Sequence, residues 1–201
     1  YELNGNTNID NYEISKQEGT LTVTNREAKY EITVKANSAT ATYDGKEHEA
    51  VGVETYEFTV EGNSYTVSGL STEDPKQKDA GSYTNNITGT PVVTDKEGNV
   101  VTSEFEVKTE NGSLEIGKAA VTLKSATLSK KYDGNALVNG DTALEIESGF
   151  AEGEGATYNF TGSQTVVGSS ANAFSYELNG NTNIDNYEIR KQEGTLTVTN
   201  R

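Results

Sequence analysis

The sequence predicts an all-β fold made of two tandem β-sandwich units that follow a partial repeat. Val, Thr and Tyr are common, short apolar and polar alternations recur between turn signals, and no long stretch repeats apolar residues at helical spacing. The hydrophobic fraction of 32% suits short half-buried strands better than a thick core. The alternative is a β-grasp-like unit, which needs one short helix. Residues 71–78 are the best place for that helix, and Pro75 limits its length.

A repeat of 26 residues organises the chain. Residues 1–26 return as residues 176–201, with Ser15 in the first copy and Arg190 in the second, so the period is 175 residues. A match of this length is typical of a tandem array. We therefore interpret residues 1–26 as the C-terminal strands of a preceding repeat, and we expect neighbouring repeats of the same chain to be its main partners.

Residues 1–26 themselves have the pattern of a hairpin. Tyr12 and Ile14 alternate with polar residues, Leu21 and Val23 do the same, and a Glu-Gly turn signal separates the two pairs. Two strands alone are only marginally stable in water. We therefore expect this segment to be the least self-sufficient part of the chain, which either packs as added strands on a neighbour or frays.

The middle unit spans residues 27–118. It opens with an alternation that ends in the turn signal YDG, which starts at Tyr43. Further alternations follow, and turn signals at 95–98 and 111–112 each predict a hairpin. The pattern predicts about seven strands at the spacing of a β-sandwich.

The last unit spans residues 119–201 and repeats this plan at lower identity. Its opening VTLKSATLSKKYDG parallels ITVKANSATATYDG in the middle unit. Its closing YEIRKQEGTLTV parallels FEVKTENGSLEI, so that Gly194 corresponds to Gly112. One period therefore contains two related domains.

A short motif favours an immunoglobulin-like form of the sandwich. Residues 79–83 read DAGSY, the pattern of a corner in which the hydroxyl of the final residue, Tyr83, bonds to backbone at the start of a late strand. At the same place in the last unit, residues 172–176 read NAFSY and keep the tyrosine, Tyr176. We predict Tyr83 and Tyr176 as structural corner residues. The alternative is an ordinary surface turn followed by a strand tyrosine.

These motifs resemble a known group of repeats. The YDG after a short first strand, the DAGSY and an ending of the form NYEIxxxxGTLTV are similar to the MBG and YDG repeat domains of large bacterial surface proteins and adhesins. The last unit resembles the YDG type from 131–134 through 140–142 to 186–189. The middle unit departs by an extra hairpin around 94–99, and Phe174 replaces a small corner residue. The resemblance implies a secreted or wall-attached protein in which many such domains form a stalk without catalytic residues.

The composition disfavours several partners. The 16 basic and 31 acidic residues give a net charge of −15, which repels nucleic acid along most of the surface. No apolar run approaches the length of a membrane span. Without Cys there is neither a disulfide nor thiolate chemistry. An extracellular location, at a bacterial cell surface or cell wall, fits this composition, and we expect any signal and anchor to lie outside this sequence.

Two special chemistries have candidate residues. The Asn-rich loop 4–11, repeated at 179–186, offers oxygen ligands of the kind that calcium prefers, but each copy has one carboxylate and turn formation is the simpler interpretation. A Lys–Asn or Lys–Asp amide crosslink needs a buried lysine beside a carboxamide and an acid that moves the proton. Lys35 and Lys124 are the candidates, although solvent-exposed lysine is the usual state. We predict no metal and no cofactor.

Catalysis has little support in the sequence. The only histidine, His48, lies among charged residues and is most simply a solvated loop side chain. The known nucleophile and metal-hydrolase arrangements all lack members. We expect a non-catalytic spacer that projects a binding head from a bacterial cell. The alternative is that each repeat is itself an adhesive module for a host glycan or protein. Most of the 11 tyrosines alternate within strands, so we expect them in the core more often than on a sugar platform.

Overall fold

The computed structural model describes residues 2, 4–24, 27–140, 142–146 and 149–201, and the fold is all-β. Small sheets of two or three strands are arranged in a sandwich-like manner. Among the described residues the helical elements are three 3₁₀ turns, η1 (Ile9–Asn11), η2 (Thr102–Glu104) and η3 (Ile184–Asn186). Tyr1, which begins the repeat, and Asp141, which belongs to the YDG-like pattern, lie outside the described residues.

Strands occupy most of both units. Those of the middle unit are β1 (Tyr30–Lys35), β2 (Ala39–Thr42), β3 (His48–Glu49), β4 (Glu57–Val60), β5 (Asn63–Thr72), β6 (Lys76–Gln77), β7 (Gly81–Asn85), β8 (Ile87–Asp95), β9 (Phe105–Glu110) and β10 (Gly112–Gly117). Those of the last unit are β11 (Ala119–Lys124), β12 (Leu128–Lys131), β13 (Leu137–Val138), β14 (Glu145–Ile146), β15 (Ala156–Phe160), β16 (Ser163–Gln164), β17 (Gly168–Ala171), β18 (Phe174–Leu178), β19 (Tyr187–Gln192) and β20 (Thr195–Thr199).

In both units the closing strands run parallel to the opening strands. β9 pairs with β1 and β10 pairs with β2, while β19 pairs with β11 and β20 pairs with β12. The other neighbours also correspond, because β7 lies antiparallel to β10 and β17 lies antiparallel to β20. The two units therefore share one plan, and each described strand pair lies within 30–117 or within 119–199.

Each pair of closing strands passes from one sheet to another at a glycine. A Cβ atom on Gly112 would lie 2.1 Å from the carbonyl oxygen of Asn37, and one on Gly194 would lie 2.3 Å from that of Ala126. Only glycine permits so close an approach of two backbones. The hairpin predicted at 111–112 is therefore wrong, because β9 and β10 pair with opening strands in different sheets instead of with each other.

The helix that a β-grasp-like unit would require is absent from residues 71–78, all of which are described. This segment contains the end of β5, a short loop and β6. The middle unit has ten strands, more than predicted, because two-residue strands such as β3 and β6 pair across loops. The predicted turn at 95–98 does form, since the Gly98 N–H donates to the Asp95 carbonyl at 3.0 Å.

The N-terminal segment has one regular element in its described part, η1. The turn forms because the Asn8 side chain accepts the N–H of Asp10 at 3.1 Å. From Tyr12 to Thr24 the backbone lies in no strand, and the side chains of Leu21 and Val23 are 100% exposed. The hairpin predicted for this segment is therefore wrong. The same sequence pattern in the last unit forms β19 and β20, which pair with β11 and β12 and not with each other.

Among the described residues, most buried apolar side chains belong to two clusters. One lies within the middle unit and is centred on Ile32, Val34, Val67, Val93 and Phe105. The other joins the two units; it contains Tyr43, Ala50, Leu114 and Ile116 of the middle unit with Val121, Leu123, Phe174 and Tyr187 of the last unit. The junction between the units is thus part of a core.

Candidate functional site at the junction of the two units

A buried carboxylate, Glu154, lies at the junction. Its side chain is 6% exposed, and the Lys78 ammonium lies 3.9 Å from its Oε1. Tyr43 of the middle unit donates its hydroxyl to Oε1 at 2.5 Å, and Tyr187 of the last unit donates to Oε2 at 2.8 Å. A buried charge is tolerated only when it is paired or hydrogen-bonded. The two tyrosines therefore hold Glu154 between the units.

Short turns bring these three residues together. Tyr43 follows β2, where its N–H donates to the Gly117 carbonyl at 2.8 Å. Glu154 closes a turn in which its N–H donates to the Ala151 carbonyl at 2.9 Å. Tyr187 comes directly after η3 and begins β19. Local turns thus orient the side chains, and the docking of the two units assembles them.

The aromatic rings add packing to the hydrogen bonds. The ring of Tyr187 meets Tyr43 edge to face, with centroids 5.3 Å apart, and meets Phe150 at 5.1 Å. Such edge contacts stabilise aromatic pairs beyond the area that they bury. Burial raises the pKa of Tyr187 to about 12 and also raises the pKa of Tyr43. Both hydroxyls are therefore protonated donors at neutral pH.

Asn186 makes a second contact across the junction. Its Nδ2 donates to Oδ1 of Asp79 at 2.8 Å, and its Oδ1 accepts the N–H of Ala80 at 2.8 Å. Asn186 is 1% exposed. A buried amide that loses its partners costs free energy. This pair of bonds therefore fixes the orientation of one unit on the other.

The predicted corner residue Tyr83 lies beside this contact. Its hydroxyl donates to the carbonyl of Asp79 at 3.0 Å, which is the bond that the corner motif predicts, and Asp79 is the residue that meets Asn186. Tyr176 lies elsewhere, in β18 opposite Tyr158. Strand register aligns GSYTN of β7 with GSSAN at 168–172, so Ser170 is the structural counterpart of Tyr83. The sequence alignment of 79–83 with 172–176 differs from this register because it matches the Ser-Tyr pair at 82–83 with the one at 175–176, which lies in β18 and not in β17.

The Asn-rich loop 179–186 packs against the turn that carries Glu154. The Thr182 hydroxyl oxygen accepts the N–H of Gly155 at 2.8 Å, and the Asn181 amide donates to the Gly153 carbonyl at 2.6 Å. Within the described residues no group of three or more His, Cys, Asp or Glu is placed to hold a metal ion. The hydrogen bonds of Asn181 and Thr182 attach the loop to the turn that carries Glu154.

The two lysines considered for an amide crosslink form surface ion pairs. Lys35 Nζ lies 2.9 Å from Oε2 of Glu110, and Lys124 Nζ lies 3.5 Å from Oε2 of Glu145. Both ammonium groups are partly exposed, and their partners are glutamates. The buried lysine and carboxamide that the crosslink needs are therefore not found at these positions.

His48 lies in β3, not in a loop, and bonds to a neighbouring carboxylate. Its Nε2 lies 2.9 Å from Oδ1 of Asp44. The hydrogen bond from the backbone N–H of Lys46, followed by the one from His48, lowers the pKa of Asp44. The pair belongs to the YDG turn after Tyr43, so it supports the turn that leads to the junction.

An open depression of about 390 Å³ lies on the sheet formed by β4, β5 and β8. Its lining is mostly Thr, Ser and charged residues, with Phe58 and Tyr65 as the aromatic members. Both rings also pack against the cluster within the middle unit. Because they serve the core, they are poorly placed to act as stacking platforms for a sugar.

No described helix has the length and apolar character needed to cross a membrane. Comparison of the chain with protein-family models, with curated proteins and with solved structures found no match.

Glu154 and Asn186 are junction residues that the sequence patterns did not predict. Glu154 lies in the acidic, glycine-rich stretch AEGEGA, which has no distinguishing pattern in so acidic a chain. Asn186 belongs to the loop 179–186, for which turn formation is the simpler interpretation, and it ends the 3₁₀ turn η3. The contacts join residues 111 and 107 positions apart, so no local signal could have identified them.

Proposed function

We propose that the chain is a non-catalytic tandem-repeat spacer of a bacterial cell-surface adhesin, in which rigidly docked pairs of units hold a binding head away from the cell. The observation that carries this proposal is the junction. One residue, Lys118, separates β10 from β11, and a shared apolar cluster continues across the boundary. A pair of domains joined in this way transmits orientation from one domain to the next.

The polar contacts make the junction specific. Sliding or hinging the units would separate Tyr43 from Glu154 and Asn186 from Asp79. Each separation would leave a buried polar group without a partner, which costs about 1–3 kcal/mol. Interfaces between domains that lack such contacts usually allow relative motion. We therefore expect the two units of every period to form a stiff pair.

The second joint of a period has a different sequence. In the repeat, residues 25–29, NREAK, lie between the end of the repeated strand sequence at Thr24 and the start of β1 at Tyr30. These five residues, three of them charged, form a longer connection than Lys118 alone. In the proposed stalk, short and long connections between units therefore alternate.

The resemblance to MBG and YDG repeats supports an extracellular place at a cell surface or cell wall. The absence of cysteine and the net charge of −15 suit a solvated, disulfide-free stalk. The 175-residue period makes stalk length proportional to the number of copies. The proposed partners are neighbouring repeats of the same chain.

Small-angle scattering from chains of one, two and three periods tests the proposal. We expect the maximum dimension to grow with each period, and a compact particle of constant shape would contradict it. The variant Glu154→Ala should broaden the distribution of unit orientations. Glu47→Ala, which removes only an exposed ion pair with Lys76 at 3.4 Å, is the matched control. Specific binding of a glycan or matrix protein by the single period would instead favour an adhesive module.

A further inference from the structure

Residues 187–199 occupy a defined position in the last unit. β19 lies beside β11, and β20 lies between β12 and β17. We call this position, filled by residues 187–199, the closing slot. The same sequence occurs at residues 12–24, where it lies in no strand.

The apolar residues that fill the closing slot are exposed in the first copy. Leu196 is 0% and Val198 is 1% exposed in the slot, whereas their counterparts Leu21 and Val23 are both 100% exposed. Exposed apolar residues in an alternating pattern form an edge that pairs readily with other strands. The segment 12–24 thus carries the side chains that the slot buries.

The one difference between the copies does not enter the slot. Arg190, which replaces Ser15, is 72% exposed and pairs with Glu188 on the surface. The glycine that the slot requires at position 194 is also present, as Gly19. A segment with serine at this position therefore has every buried side chain of residues 187–199 and the glycine at the close backbone approach.

We propose that residues 12–24 fill the closing slot of the last unit of a second copy of this chain whenever that copy's own residues 187–199 leave it. In that complex the segment runs parallel to β11 and β12 in the registers that β19 and β20 have now. The exchange replaces buried contacts with identical ones, as in domain swapping. Its occupant is a second copy because the sequence match is to this chain.

The chain's own slot is out of reach of its own segment. β1 and β2 pair in one continuous register with β9 and β10, so residues 30–42 follow one direction over a chain length of about 40 Å. Tyr43, at one end, meets Tyr187, where the slot begins. The slot ends at Thr199, at the far end of the last unit, and Tyr30 lies at the far end of the middle unit. Residues 25–29 span at most about 18 Å.

Donor and slot therefore lie toward opposite ends of the molecule. A contact of this head-to-tail type generates open chains of molecules instead of closed dimers. The donated segment is followed by its own middle unit, which then takes the place of the next repeat in the covalent array. The association would reproduce the joint of the array without a peptide bond between copies.

The test disables the chain's own closing strands. In the full chain, Leu196→Asp places a carboxylate in a fully buried site, which prevents residues 187–199 from filling the slot. We expect the average molar mass in light scattering to rise with protein concentration. Hydrogen exchange should show protected amides in β11 and new protection in peptides that contain Ser15.

The double variant Leu21→Asp/Leu196→Asp distinguishes specific strand exchange from non-specific aggregation of an unfolded last unit. It should be monomeric at all concentrations, with unprotected amides in β11, while Leu21→Asp alone should match the wild type. Val23→Asp with Val198→Asp repeats the design at the next buried pair. The proposal is overturned if Leu196→Asp stays monomeric, whether its last unit is unfolded or closed, or if the double variant associates equally.

Discussion

Two copies of one sequence take different structures in this molecule, and the comparison separates local from long-range causes. In the last unit, residues 187–199 form β19 and β20; in the N-terminal segment, residues 12–24 form no strand. The 3₁₀ turn before them, η3 or η1, forms in both copies. The difference therefore begins where the chain needs a partner.

The turn needs only its own residues. Asn183 accepts the N–H of Asp185 at 3.0 Å in η3, and Asn8 accepts that of Asp10 at 3.1 Å in η1. A side chain that bonds to backbone two residues ahead stabilises such a turn without tertiary contacts. Sequence determines this element directly.

The strands need burial. Ordering a residue costs about 1–2 kcal/mol of backbone entropy, and fully burying a leucine or valine contributes about 1.5–3 kcal/mol. Leu196 and Val198 gain this burial between β12 and β17, and Leu21 and Val23 do not. The partner strands, not the segment, decide whether it becomes a sheet.

The largest expected contrast is at the buried leucine. Leu196→Ala should lower the free energy of unfolding of the last unit by about 2–5 kcal/mol, because it removes buried methyl groups and leaves a cavity. Leu21→Ala should leave it unchanged, since that side chain is fully exposed. Urea denaturation followed by tyrosine fluorescence measures both. Equal effects of the two substitutions would contradict the assignment of one buried and one exposed copy.

The glycine pair should give the next contrast. Gly194→Ala places a Cβ 2.3 Å from a carbonyl oxygen, whereas around Gly19 there is nothing within 4 Å. Forcing the backbones apart should cost about 1–3 kcal/mol or more. Gly19→Ala should have no effect on the unfolding midpoint. A neutral Gly194→Ala would show that the strands do not cross so closely.

The tyrosine pair tests the junction. Tyr187→Phe removes the hydroxyl that donates to Glu154 at 2.8 Å and accepts from Ala151 at 2.9 Å. The loss should be about 1–3 kcal/mol, because the buried partners are left unsatisfied. Tyr12→Phe should leave the urea midpoint unchanged, since Tyr12 is 62% exposed. A similar shift of the urea midpoint in both variants would place the hydroxyl outside the junction.

Tyr187 and Tyr12 should also differ in their effect on stability at alkaline pH. Burial raises the pKa of Tyr187 from the ordinary tyrosine value of 10.0 to about 12, so the folded state favours the protonated phenol. The resulting stability is fully present below pH 10 and is lost as the pH rises toward and past 12. We expect Tyr187→Phe to reduce the fall in stability over this window, and Tyr12→Phe to leave it unchanged. An unaltered pH profile in Tyr187→Phe would contradict the raised pKa.

The smallest effect is expected at the one position where the copies differ. Arg190→Ser should change the free energy of unfolding by less than about 0.5 kcal/mol, because the side chain is an exposed surface residue in β19. Thermal denaturation at low and high salt measures it. A large loss would show that the two copies are not equivalent for the closing slot.

Local features of the fold could be predicted from the sequence. The all-β class follows from the short alternations, and the turn at 95–98 follows from its Asp-Lys-Glu-Gly signal. The Asp95 carboxylate accepts the N–H groups of Glu97 and Asn99 at 3.0 and 2.8 Å. These bonds involve near neighbours, so the sequence pattern contains them.

Long-range features could not be predicted. β9 and β10 pair with opening strands about 75 residues earlier in the chain, and nothing in the Asn-Gly signal at 111–112 distinguishes a passage between sheets from a hairpin. The junction of Tyr43, Glu154 and Asn186 also depends on how whole units dock. Sequence patterns therefore predicted the strands and turns better than they predicted which strands pair with each other.

Hydrogen exchange of the two copies in the wild-type chain tests the central claim most directly. Peptides that span Ser15 and Arg190 differ in mass, so the otherwise identical copies can be followed separately in one sample. We predict strong protection of the amides in 187–199 and exchange at the rate of unstructured peptide in 12–24. Equal protection of both copies would contradict the conclusion that the partner strands decide the structure of this sequence.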